Sequence, residues 1–126
     1  MGIYLNPLET NFKKSLNSDI YIDKSLLIEH TNNVINTEQQ FICVSRPRRF
    51  GKSMAANMLT AYYNKGCNSK ELFSGLKISK SSSFENHLNK YNVIHLNMAD
   101  FWNEANDICE MLNFIEEDLT EELIRT

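Results

Sequence analysis

The chain has 126 residues, an apolar fraction of 42%, a charged fraction of 23% and a formal net charge of −3, a balance that fits one ordinary soluble domain. No apolar run approaches the ~20 residues that would span a bilayer, and Met1-Gly2-Ile3-Tyr4-Leu5-Asn6 has neither the basic and long apolar regions of a signal peptide nor the Ser or Thr of a myristoylation site. Three cysteines, Cys43, Cys67 and Cys109, and three scattered histidines, His30, His87 and His95, form no metal-ligand spacing or triad, so a reduced, cytoplasmic protein is expected.

Residues 1–19 read as an irregular lead-in rich in Asn, Ser and Lys. Asp23 is placed to cap a helix running to about Val34, which Asn32-Asn33 and Asn36-Thr37 close. Phe41-Ile42-Cys43-Val44 is a short apolar run of the kind found in a parallel strand buried on both faces. Ala55, Met58, Leu59 and Tyr62 then recur at helical spacing, giving a helix that Gly66 stops. A short helix around Leu72, a Ser-rich loop, a helix from Phe84 to Asn89 and a second strand from Asn92 to Asn97 complete the middle of the chain.

Between the first strand and its helix lies Ser45-Arg46-Pro47-Arg48-Arg49-Phe50-Gly51-Lys52-Ser53. The phosphate-binding pattern G-x-x-x-x-G-K-[ST] requires a strand before it and a helix after it, and here only the first Gly is replaced, by Arg46. The first turn of a helix presents unpaired amides and the positive end of its dipole, so residues Arg48 to Ser53 are placed to cradle phosphate. Gly51 would let the backbone approach closely, Lys52 would reach the β- and γ-phosphates of a nucleotide, and Ser53 would ligate Mg²⁺. Pro47 donates nothing and stiffens the loop. An ordinary turn that starts a surface helix is the plainer alternative.

Charge divides the chain: twelve Lys or Arg face seven acids before Asp100, and nine acids face Arg125 alone from there on, so the two parts carry +5 and −8. The acids lie on a helix from about Glu104 with an apolar face of Ile108, Met111, Leu112, Ile115, Leu119 and Leu123, read as a solvated helix around a core-facing stripe, with docking to a basic partner as the alternative. The cluster Arg46, Arg48, Arg49 and Lys52 also admits contact with nucleic-acid phosphates, which would strengthen with oligonucleotide length. A mononucleotide would instead saturate a nucleotide site.

Arg46-Pro47-Arg48-Arg49-Phe50-Gly51-Lys52-Ser53 resembles the R-P-R-R-F-G-K-[ST] variant Walker A loop of the bacterial AAA-ATPase-like family, in which Arg at the first position is normal. Phe12-Lys13-Lys14, Tyr21-Ile22-Asp23-Lys24-Ser25, Leu72-Phe73-Ser74-Gly75-Leu76-Lys77-Ile78 and Tyr91 to Leu96 resemble further elements of that family in the same order. The resemblance implies an α/β fold, the N-terminal part of a three-layer αβα P-loop NTPase domain, with residues 20–126 forming the α/β unit and the loop at 45–53. It implies ATP and Mg²⁺ as ligands, with Arg46, Pro47, Arg48, Arg49, Phe50, Gly51, Lys52 and Ser53 binding nucleotide and Ser53 on the metal. It also sets the Tyr21–Ser25 element where related ATPases contact the adenine, making Tyr21 and Asp23 candidates for base recognition, with Tyr21 as a plain core aromatic the favoured alternative.

Family members are longer, carry a Walker B strand downstream and often end in a PD-(D/E)xK nuclease-like domain. This chain is therefore expected to be an N-terminal fragment that binds nucleotide without the parts for hydrolysis, or a non-catalytic regulatory piece; nucleic acid would engage only through domains not present. Val93 to Asp100 is a poor Walker B, because His95 and Asn97 interrupt the apolar run and Phe101 stands where the catalytic Glu belongs, leaving Asp100 as the cap of the next helix. A strand at 41–45 without its neighbours would have open edges, so self-association through them is expected.

Overall fold

A computed structural model describes residues 4–45 and 51–125. Its helices are α1 (Thr10–Leu16), α2 (Leu26–Val34), α3 (Lys52–Tyr63), α4 (Lys70–Phe73), α5 (Phe84–His87), α6 (Met98–Glu104) and α7 (Ile108–Arg125), with a 3₁₀ turn at Lys77–Lys80. Among the described residues there is no strand and no sheet. Backbone pairing outside helices is limited to two isolated bridges, antiparallel Leu5 with Ile94 and parallel Asn64 with Tyr91. The expected three-layer α/β fold is therefore corrected to an all-helical arrangement.

The two expected strands show why. A strand is stable only when neighbours complete its hydrogen-bond ladder and cover its faces. Among the described residues Phe41, Ile42 and Val44 have no such neighbour, and they are exposed at 89%, 42% and 52%. Among the described residues Asn92 to Asn97 makes backbone–backbone bonds only with the segment Tyr4 to Asn6, through Asn6 N–H to Val93 O at 2.7 Å and His95 N–H to Tyr4 O at 2.8 Å. Two backbone bonds do not extend into a sheet.

The core forms where α1 to α5 meet the 3₁₀ turn. Phe12, Ile28, Met58, Ala61, Tyr62, Phe73, Ile78 and Phe84 make one buried cluster. Phe12 stacks on Phe73 with centroids 4.9 Å apart, and Tyr62 meets Phe73 edge to face at 5.6 Å, arrangements that the ring quadrupoles favour. The buried Tyr62 hydroxyl donates to Phe84 O at 2.5 Å and accepts from Asn32 Nδ2, so its polar end is satisfied. Residues 1–19 are not all irregular: Thr10–Leu16 is helical, and α1 contributes Phe12 to the core.

Helix α3 is the central strut, and it ends at Tyr63 rather than at Gly66. Its terminus is held by Asn89, whose left-handed backbone (φ 52°) aims Nδ2 at Ala61 O (3.1 Å) and Asn64 O (2.9 Å) while its Oδ1 accepts from Ser69 N–H (3.0 Å). One side chain thus satisfies carbonyls that a helix end leaves without partners.

The acidic segment divides differently from expectation. Helix α6 begins at Met98 with Asn97 as its cap, the Asn97 side chain accepting from Ala99 N–H, so Asp100 lies inside the helix instead of in front of it. Helix α7 then starts at Ile108 and packs against α6, and none of its residues is buried. Glu122 ties it to the body by accepting from the Tyr4 and Leu5 amides, both at 3.0 Å.

Candidate functional site

Of the expected site residues, Arg46, Pro47, Arg48, Arg49 and Phe50 lie outside the described residues; Gly51, Lys52 and Ser53 are described. Gly51 has φ +82° and ψ 25°, the left-handed region that costs glycine little and other residues more. The chain turns there directly into α3, with Ala55 N–H bonding back to Gly51 O at 2.9 Å. Gly51 has no side chain to cap the helix, and the first turn carries no acidic residue. The helix start thus keeps the positive end of its dipole uncompensated by its own residues.

Two clefts flank this start. Lys52, Ser53, Ala56 and Asn57 line one of about 450 Å³, together with Tyr4, Asn11, His95 and Asn97. Gly51, Met54, Ala55 and Met58 line the other, of about 320 Å³, opposite Ile20, Tyr21, Ile22 and Lys24. The first is rich in hydroxyl, amide and cationic groups, and the second is mostly apolar. The helical period divides the two sets, since residues 51, 54, 55 and 58 share one side of α3 and 52, 53, 56 and 57 the next.

The polar cleft holds a residue that sequence reasoning left unassigned. His95 Nδ1 lies 3.3 Å from Thr60 Oγ1, and the Thr60 hydroxyl proton is already directed at Ala56 O, 2.9 Å away. The imidazole must therefore donate from Nδ1, which leaves Nε2 as the acceptor of the neutral ring. Its isolation in the sequence hid this, because no nearby residue marks it.

The apolar cleft is walled by Tyr21, which is half-buried and meets Phe12 edge to face at 6.3 Å. Burial first, and the Asp23 carboxylate second, push its hydroxyl above the usual tyrosine range. Asp23 is held by backbone amides. Its Oδ1 accepts from Ser25 N–H and its Oδ2 from Lys77 N–H, each at 2.8 Å, while Ser25 Oγ accepts from Ile78 N–H at 3.1 Å. Burial alone would push the Asp23 carboxyl up, but the bonds from Ser25 and Lys77 and the Lys77 charge outweigh it and hold it below the ordinary carboxylate value. Asp23 and Ser25 thereby fasten the Tyr21–Ser25 segment to the 3₁₀ turn.

Other chemistry is sparse. Among the described residues no cluster of three His, Cys, Asp or Glu side chains could hold a metal. Burial and the neighbouring Glu9 carboxylate push the Cys67 thiol up to about 12, which makes it a poor nucleophile. No helix among the described residues is long and apolar enough to cross a membrane.

A left-handed glycine thus turns the chain into α3 between a polar and an apolar cleft. The family described as predicted AAA-ATPase matches residues 10–125, nearly the whole chain, and the protein belongs to this AAA-ATPase-like family. No curated protein and no solved structure matches the chain.

Proposed function

We propose that this chain binds ATP with Mg²⁺ at the start of α3, through the loop Arg46 to Ser53. The observation that carries the reading is Gly51: a left-handed glycine turns the chain into a twelve-residue helix opened by Lys52 and Ser53, with a cleft on either side. Membership of an ATPase-like family supports nucleotide use in general.

In this reading the phosphates lie over the first turn of α3, where backbone amides and the dipole favour anions. Lys52 adds a point charge toward them. The Ser53 hydroxyl, exposed and lining the polar cleft, fits a metal that takes most of its oxygens from phosphate and water; Mg²⁺ is commonly held that way and does not need a protein cage. Bound there, Mg²⁺ would neutralise phosphate charge. The apolar cleft beside Tyr21 suits a purine ring, with Met54 and Ala55 as its floor. Both Asp23 oxygens already accept backbone amides, so Tyr21 is the residue this reading sets against the base.

Calorimetric titration with ATP and Mg²⁺ tests the reading. Saturable binding is expected in the wild type and its loss in Lys52→Ala, with an unchanged circular dichroism spectrum. Equal affinity in the two proteins would rule out the phosphate role of Lys52.

A further inference from the structure

The structure assigns to Lys24 a direct contact with the phosphate chain of the bound nucleotide, as a second lysine beside Lys52. The inference rests on the nucleotide reading and adds a residue from outside the loop. A Cβ placed on Gly51 would lie 3.1 Å from Lys24 Nζ, so this ammonium stands against the one backbone position where the chain turns into α3. Lys24 also lines the apolar cleft at whose edge Gly51 sits. A ring held between Tyr21 and Met54 would direct its phosphates past Gly51 toward Lys52 and Ser53, and Lys24 lies beside that path.

The position of Lys24 follows from its neighbours. Asp23 and Ser25, on either side of it, are bonded to the amides of Lys77 and Ile78, so the backbone that carries Lys24 is anchored to the 3₁₀ turn and the core. Two flanking anchors reduce the freedom its side chain must lose on binding. The small size of Gly51 has a second reason here: it leaves room for the ammonium as well as for phosphate.

The test compares Lys24→Met, Lys24→Gln and Lys24→Arg with Lys52→Ala in calorimetric titrations with ATP and Mg²⁺, each protein first checked by thermal melting. Lys24 is exposed, so all three variants should melt as the wild type does. Lys24→Met and Lys24→Gln are expected to bind ATP about tenfold more weakly, as for loss of one charge-assisted contact, while Lys24→Arg stays within about threefold of the wild type. The deficit of Lys24→Met should shrink as NaCl is raised, because screening weakens what it has lost. Unchanged affinity in Lys24→Met and Lys24→Gln, with binding still lost in Lys52→Ala, overturns the Lys24 contact and leaves the nucleotide site standing. Equal weakening in Met, Gln and Arg variants also overturns it, since shape and not charge would then be responsible. Absence of binding in the wild type, or indifference to Lys52→Ala, overturns both.

Discussion

The body formed by α1 to α5 and the helix α7 contrast sharply in what their apolar residues achieve. In the body, Tyr62, Phe73, Ile28 and Ile78 are wholly buried. Helix α7 is the longest described, at eighteen residues, and buries none; Ile108, Leu112 and Leu123 are more than half exposed. Both regions carry a helical apolar period. The period shapes a stripe, but burial requires an opposing surface, and for α3 this comes from Phe12, Phe73 and Phe84, tens of residues away on either side.

The contrast can be broken most forcefully in the body. Phe73→Ala should cost about 3–5 kcal/mol, since it removes a ring stacked between Phe12 and Tyr62; urea denaturation measures this, and a loss under about 1 kcal/mol would show the aromatic cluster to be loose. Gly51→Ala comes next, at about 1 kcal/mol for the left-handed backbone, because the neighbouring Lys24 Nζ is the end of a flexible side chain that can move aside. A crystal structure of that variant with φ still positive, together with the melting shift, would check the cause.

Asp23→Asn is expected to cost up to about 1 kcal/mol near neutral pH, the usual worth of a hydrogen bond. The lowered carboxyl value in the folded chain fixes the sign of the pH effect. The stabilisation is fully present above the ordinary carboxylate range and fades as acid carries the pH down through the lowered value. Wild type and variant should therefore converge in stability once the pH has fallen through that lowered value in denaturation series, and parallel curves would break the assignment. Leu112→Ala should change stability least, within about 0.5 kcal/mol, as for other exposed positions. A larger loss would show that α7 is covered in solution.

Legibility in the sequence followed the range of the interactions. Met58 and Tyr62 were placed on the inner side of α3 from spacing alone, and both are buried. The Gly51-Lys52-Ser53 turn into a helix was likewise visible, being encoded by adjacent residues. The strand at Phe41 to Val44 failed because an apolar run states only that partners would be welcome; the partners themselves must come from elsewhere in the chain. Helix α1 was missed because Thr10–Leu16 offers Phe12 as its one buried residue, too little for a period. Asn97 displaced Asp100 as a cap because either residue type serves, and local sequence does not choose between them. Lys24 and His95 owe their places to contacts across 27 and 35 residues, which no local pattern reports.

The bonds from Asp23 and Ser25 to Lys77 and Ile78 also bear on the order of assembly. They join positions 54 and 53 residues apart, and all of α2, the loop and α3 lie within the circuit they close. Closing so long a circuit costs chain entropy before these few bonds return anything. The contacts of Tyr62 with Phe73 and Phe84, 11 and 22 residues away, close much shorter circuits. The segment that carries Lys24, and with it one wall of the cleft, is thus held by the longer closure.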